Sequence, residues 1–141
     1  MLRKILVVPF FLIGTIVHAQ TTDSLAKATC DYPFIISETM PYLKNGIPAF
    51  EDSLTNYLHS INALPKEGSV SLHITITRSG DVTDVAVIKS DFENNEAFVN
   101  ALYAFQHIWV GGTQNKHQVC VYRRVQIQFS SDKTIVTFGM Y

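Results

Sequence analysis

Between residues 69 and 77 the chain alternates strictly, with Val70, Leu72, Ile74 and Ile76 on every second position and Ser71, His73 and Thr75 between them. Successive side chains of an extended strand point to opposite faces, so this spacing calls for a strand with one face buried and the other wet. Arg78-Ser79-Gly80-Asp81 follows and reads as a hairpin turn, with Gly80 free to take a positive φ. The return strand covers 82–89, where Val85, Val87 and Ile88 predict fuller burial. A lone hairpin cannot cover its own apolar face, so the flanking segments must do so.

Those segments carry helical spacing. Phe50, Leu54, Tyr57, Leu58 and Ile61 recur at three- and four-residue steps, after Pro48 in a first turn and before Pro65 as a stop. A second helix over 95–106 aligns Phe98, Ala101, Leu102 and Phe105. Trp109-Val110-Gly111-Gly112 breaks that helix, and Trp109 is expected beneath the sheet. A long strand then runs over 118–129, with Val119, Val121, Val125, Ile127 and Phe129 on one face and Gln118, Tyr122, Arg124, Gln126 and Gln128 on the other. Arg123 falls on the apolar face and is expected near the sheet end or reaching to solvent. Residues 130–133 form a turn and 134–141 a last strand. The fold class that results is α+β, two helices packed on one face of an antiparallel sheet of three or four strands.

A chain of 141 residues is one domain as a prior. Arg3 and Lys4 precede an apolar run over 5–17, and Val17-His18-Ala19 supplies a cleavage context, which together read as a signal peptide over 1–19. A helix of that run reaches about 20 Å, against about 30 Å of bilayer core, so a retained anchor is the weaker alternative and no stable membrane insertion is expected after cleavage. Residues 20–39 then form a lead-in and 40–141 the domain, in an exported, periplasmic protein. Lys and Arg total 11 against 12 Asp and Glu, a net charge of −1 without like-charge runs, so no nucleic-acid surface is expected. Cys30 and Cys120 are the two cysteines, and in an oxidising compartment they either form a bridge or stay as buried thiols. Sequence leaves that choice open, and a bridge would be structural.

Reactive chemistry finds little support. His59, His73, His107 and His117 show no metal-ligand spacing. Ser79 lies in Arg-Ser-Gly-Asp, not in a nucleophile elbow, and Asp81 and Asp84 read as the solvated side of a turn. Gly111-Gly112 lacks the Lys-Ser/Thr of a phosphate cradle. No catalytic residue, metal or cofactor is expected.

Three stretches together resemble the C-terminal domain of the TonB energy transducers, in the version common among exported proteins of Bacteroidota-like bacteria. They are "MPYLKNGIPAFEDSLTNYLHSI" over 40–61, "GSVSLHITITRSGDVTDVAVIKS" over 68–90 and "IWVGGTQNKHQVCVYRRVQIQF" over 108–129. The chain departs from that pattern at Ile108, Val110-Gly111 and Lys116, where the family often carries Pro, Pro-Gly and Gly. The resemblance implies a non-enzymatic envelope module that binds a protein or an extended peptide, such as a segment of an outer-membrane transporter, by adding it as a strand to a sheet edge. Carried onto this chain, the docking edge comprises Val119, Val121, Tyr122, Arg123 and Val125, with side-chain contacts from Tyr122 and, less favoured, Trp109. The transmembrane anchor and Pro-rich tether of a working transducer are not read in this sequence. The tail over 134–141 is expected to cover the docking edge. Two alternatives come from other classes, a homodimer paired through sheet edges and a small exported enzyme with a cleft that no motif reveals.

Overall fold

The computed structural model describes residues 30–131 and 133–139, so the expected signal peptide over 1–19 and the lead-in over 20–29 lie outside the described residues. In chain order the elements are β1 (Tyr42–Leu43), α1 (Gly46–Ser60), β2 (Gly68–Ile76), β3 (Val82–Ser90), α2 (Glu96–Ala104), β4 (Trp109–Val110), β5 (Gly112–Gln114), β6 (His117–Val119), β7 (Val121–Ser130) and β8 (Lys133–Gly139). The main sheet has four antiparallel strands in the order β3-β2-β7-β8, and two short ladders, β1-β4 and β5-β6, stand beside it. The architecture is α+β, with both helices against one sheet face.

The alternation in β2 explains the core. Val70, Leu72, Ile74 and Ile76 are fully buried because β2 is flanked on both sides, by β3 and β7. Opposite residues share a face, so Ile127, Val125 and, from β8, Val136 and Phe138 join the same layer. Phe50, Leu54 and Leu58 of α1 and Phe98, Ala101 and Leu102 of α2 close it from below. Trp109 is buried in this core, in edge-on contact with Phe50 and Phe138.

Several expectations are corrected. Val87 and Ile88 are 37% and 45% exposed, because β3 is the outer strand and has a neighbour on one side only. Ile61 is not part of the buried stripe; it caps the C-terminus of α1 and faces solvent. The strand read as continuous over 118–129 divides at Cys120 into β6 and β7, which pair with different partners. The second helix stops at Ala104, and a separate 3-10 turn (Gln106–Ile108) leads to Trp109. Arg123 does reach the apolar face, where burial lowers its pKa and its guanidinium lies 4.8 Å from the Phe138 ring centroid. Within the lead-in expected over 20–39, residues 30–39 are fastened to the domain. Cys30 and Cys120 are joined by a disulfide, and the segment is fastened further along by backbone pairs at Phe34 and Thr39.

Gly80 closes the β2–β3 hairpin at φ +89°, and a Cβ there would lie 2.3 Å from the Trp109 carbonyl oxygen. Backbone cannot yield as a side-chain tip can, so both the left-handed conformation and the contact require glycine. Gly80→Ala is therefore expected to lower unfolding free energy by more than the roughly 1–2 kcal/mol of the left-handed penalty alone. Urea denaturation followed by Trp109 fluorescence measures this, and an unchanged midpoint would contradict the packing described.

Candidate functional site

Backbone groups on a sheet margin are the sites at which another strand can pair. Along β3 the ladder is interrupted twice, since Thr83 and Ile88 have no opposite number in β2, and such bulges twist an edge away from further pairing. Along β8 the Val136 N–H points away from β7 and donates to Glu51 Oε1 of α1 at 2.7 Å, while Thr55 Oγ1 donates to Thr134 Oγ1 at 2.8 Å. The helix thus covers part of that outer margin.

The expected docking edge, on the far side of β7 from β2, is occupied along most of its length. Residues 124–130 pair with β8, so Val125 is flanked by Leu72 and Phe138 and is fully buried. The tail was expected to cover this edge; it does lie there, yet it is also part of the core, because Val136 is only 3% exposed and Thr134 is buried. Arg123 is directed to the helix side of the sheet opposite Ile74. Val121 is buried opposite Ile76. Tyr122 lies on the opposite face, edge-on to His73 at 5.8 Å, with its hydroxyl 3.5 Å from Asp84 Oδ2. The five residues therefore do not form one open edge.

What remains lies toward Val119. The β5–β6 hairpin turns through Asn115 and Lys116, at φ 50° and 63°, the geometry of a two-residue turn with matched strand twist. In an antiparallel pair every second residue turns its backbone groups outward. Thr113 does so toward the lead-in, since it donates to the Thr39 carbonyl at 2.9 Å and accepts from the Thr39 N–H at 3.1 Å. Gln118, directly opposite Thr113, consequently turns its N–H and C=O to the other side, where they meet no backbone partner among the described residues. Two residues on, the Cys120 carbonyl accepts from the Phe34 N–H at 2.8 Å, and two further on the Tyr122 N–H donates to the Phe34 carbonyl at 2.8 Å. The margin over 118–124 thus reads as an open position at Gln118, a short strap at Cys120 and Tyr122, and β8 from Arg124 onward. A cleft of about 210 Å³ adjoins the strap, lined by Cys30, Asp31, Tyr32, Phe34, Arg78, Val119 and Cys120.

On the polar face, Arg124 Nε donates to Ser71 Oγ at 2.9 Å. Burial lowers the His73 pKa, and the positive charge of Arg124 lowers it further. Near the β2–β3 turn Ser79 Oγ donates to Asp81 Oδ2 at 2.8 Å, and His107 Nδ1 lies 3.2 Å from Asp81 Oδ1. These residue types suggest a hydrolytic triad, but the order is wrong. The carboxylate stands between hydroxyl and imidazole, so the imidazole has no contact through which to take the serine proton. Among the described residues no group of three or more His, Cys, Asp or Glu is placed to hold a metal ion.

Sequence reasoning missed Gln118, Phe34 and Glu51. Gln118 and Glu51 looked like ordinary polar positions, and only the register makes them notable. Phe34 had one available signal, its place four residues after a cysteine.

Among solved structures, the C-terminal domain of TonB from Helicobacter pylori, determined by NMR in solution, is similar to this chain at 22% identity and a TM-score of 0.41, across 61% of this chain and 94% of that one. No protein-family model and no curated protein matches the chain.

Because the folded pKa of His73 lies below the ordinary value of 6.5, the unfolded chain takes up this proton first as pH falls. The contribution of His73 to stability is thus complete above pH 6.5 and is lost as pH falls from there through its folded pKa. Denaturant titrations of the native chain and of His73→Gln at pH 7.5 and pH 5 should give a smaller pH-dependent loss in the variant. Equal losses would place the titration elsewhere.

Proposed function

We propose that this chain is an exported, non-enzymatic protein- or peptide-binding module of the cell envelope that acts by strand addition along β6 and the start of β7. The observation that carries this reading is the outward N–H and C=O of Gln118, followed along the same margin by the Cys120 carbonyl and the Tyr122 N–H, which Phe34 holds in this structure. An extended peptide running past Gln118 gains main-chain hydrogen bonds there and takes the Cys120 and Tyr122 positions only by displacing Phe34, and its alternate side chains meet the cleft beside Val119 and Phe34. Main-chain bonds supply the affinity in this mode, and the cleft supplies the preference among sequences.

Two features support export. A basic and then apolar N-terminal stretch has the layout of a signal peptide. The Cys30–Cys120 disulfide also belongs to an oxidising compartment such as the periplasm. The three sequence stretches that resemble the TonB C-terminal domain point to the same class of partner, an extended segment of an outer-membrane transporter. A second reading, pairing of two copies through the same margin, draws on the exposed Tyr32, Ile35 and Ile36 beside it. Light scattering separates the two, since the peptide-binding reading expects the mass of one chain.

The test is a titration of the isotope-labelled mature domain with a synthetic peptide from the periplasmic segment of an outer-membrane transporter. The Gln118 and Val119 amides should shift, and the Gln118 N–H should become protected from exchange by at least about tenfold, while amides of β3 stay unmoved. Shifts confined to β3, or to the polar sheet face around His73, would contradict the reading.

A further inference from the structure

We propose that the Cys30–Cys120 disulfide is a redox site that governs the docking margin: a dithiol reductant opens it, and the strap over 30–37 leaves the backbone of Cys120 and Tyr122. The use of the freed margin rests on the strand-addition reading above, whereas the release of the strap does not.

Three observations carry the inference. First, the disulfide joins a segment outside the hydrophobic core to the junction of β6 and β7, and neither cysteine belongs to the core cluster. The Phe34 N–H binds the carbonyl of Cys120 itself, so the covalent link and the strap meet at one residue. Second, the strap buries little of its own apolar surface. Tyr32 is 93% and Ile36 70% exposed, and Phe34 and Ile35 are also exposed. Two partly exposed backbone hydrogen bonds are a weak hold once the tether is gone. Farther along, Thr39 and β1 keep the chain attached through their pairs with Thr113 and β4, so release ends there and does not run into the core. Third, the disulfide borders a cleft from its Cys30 side, since Cys30 is partly exposed while Cys120 is only 5% exposed. The cleft of about 210 Å³ is lined by both cysteines, and Arg78 lines the same cleft.

The chemistry is thiol–disulfide exchange. A thiolate of the reductant attacks the sulfur of Cys30, the more exposed residue of the two. The bond to the Cys120 sulfur breaks, and Cys120 leaves as a thiolate that takes up a proton. The second thiol of the reductant then displaces Cys30 and forms the reductant's own disulfide. Two electrons and two protons pass to the protein, which ends with two thiols. Reoxidation in the same compartment refastens the strap.

The experiment compares amide exchange in the oxidised mature domain, the same domain in dithiothreitol, and the Cys30→Ser/Cys120→Ser variant. On reduction the Phe34 and Tyr122 amides should exchange at least about thirtyfold faster, whereas Leu72 and Ile74 in β2 keep their protection. The double variant should match the reduced protein. Phe34→Pro, which removes the donor to Cys120 but leaves the disulfide intact, should accelerate Tyr122 in the oxidised state. Unchanged Phe34 exchange on reduction would overturn the proposal. Loss of protection throughout β2 would also overturn it, because the bond would then be a brace for the whole fold. Binding of the transporter-derived peptide is measured alongside and should tighten by at least about tenfold on reduction. If the strap opens and the peptide affinity stays the same, the strand-addition reading fails while the redox release stands.

Discussion

A sheet margin presents a row of N–H and C=O groups that must be satisfied by something, and the organisation of this protein follows from how each row is met. The inner strands β2 and β7 satisfy one another over nine residue pairs, from Gly68 opposite Phe129 to Ile76 opposite Val121. Around that pair the remaining rows are handled differently: bulges interrupt β3, the Glu51 carboxylate of α1 takes the Val136 N–H of β8, a disulfide-tethered strap meets Cys120 and Tyr122, and the Thr39 pair meets β5. Among the described residues the Gln118 N–H and C=O meet no backbone partner, and the functional reading centres on them.

The same constraint explains the placement of Arg123. A charge on the apolar face is costly unless its head finds a polar or polarisable partner. Here the guanidinium lies against the Phe138 ring, and burial pushes its pKa down. Phe138 belongs to β8, so the terminal strand closes one side of β7 and also supplies the surface against which Arg123 rests. A strand with both tasks is part of the sheet and of its core, besides lying along the expected docking edge.

Much of the architecture was legible in the sequence because it rests on local period. The alternation of β2, the Gly80 turn and the stripes of Phe50, Leu54 and Leu58 and of Phe98, Ala101 and Leu102 each state a face and a direction without help from distant residues. The margins were not legible, because they depend on which strand lies next to which. Val87 and Ile88 look as buried as Ile74 until β3 is known to be outermost. The break at Cys120 is hidden because the alternation continues through it, so a period of two reports orientation and is silent on a change of partner. The strap is a contact between residues 34 and 120–122, and no local pattern encodes such a pairing beyond the two cysteines that fasten it.

If the backbone is the working part, then removing one backbone proton should matter more than changing a side chain. Semisynthesis that replaces the Gln118 amide nitrogen by an ester oxygen removes that N–H and keeps the side chain, and Gln118→Ala does the reverse. The ester form should bind the transporter-derived peptide at least about fivefold more weakly, with the alanine variant near the native affinity. An ester form that binds as well as the native protein would contradict the account.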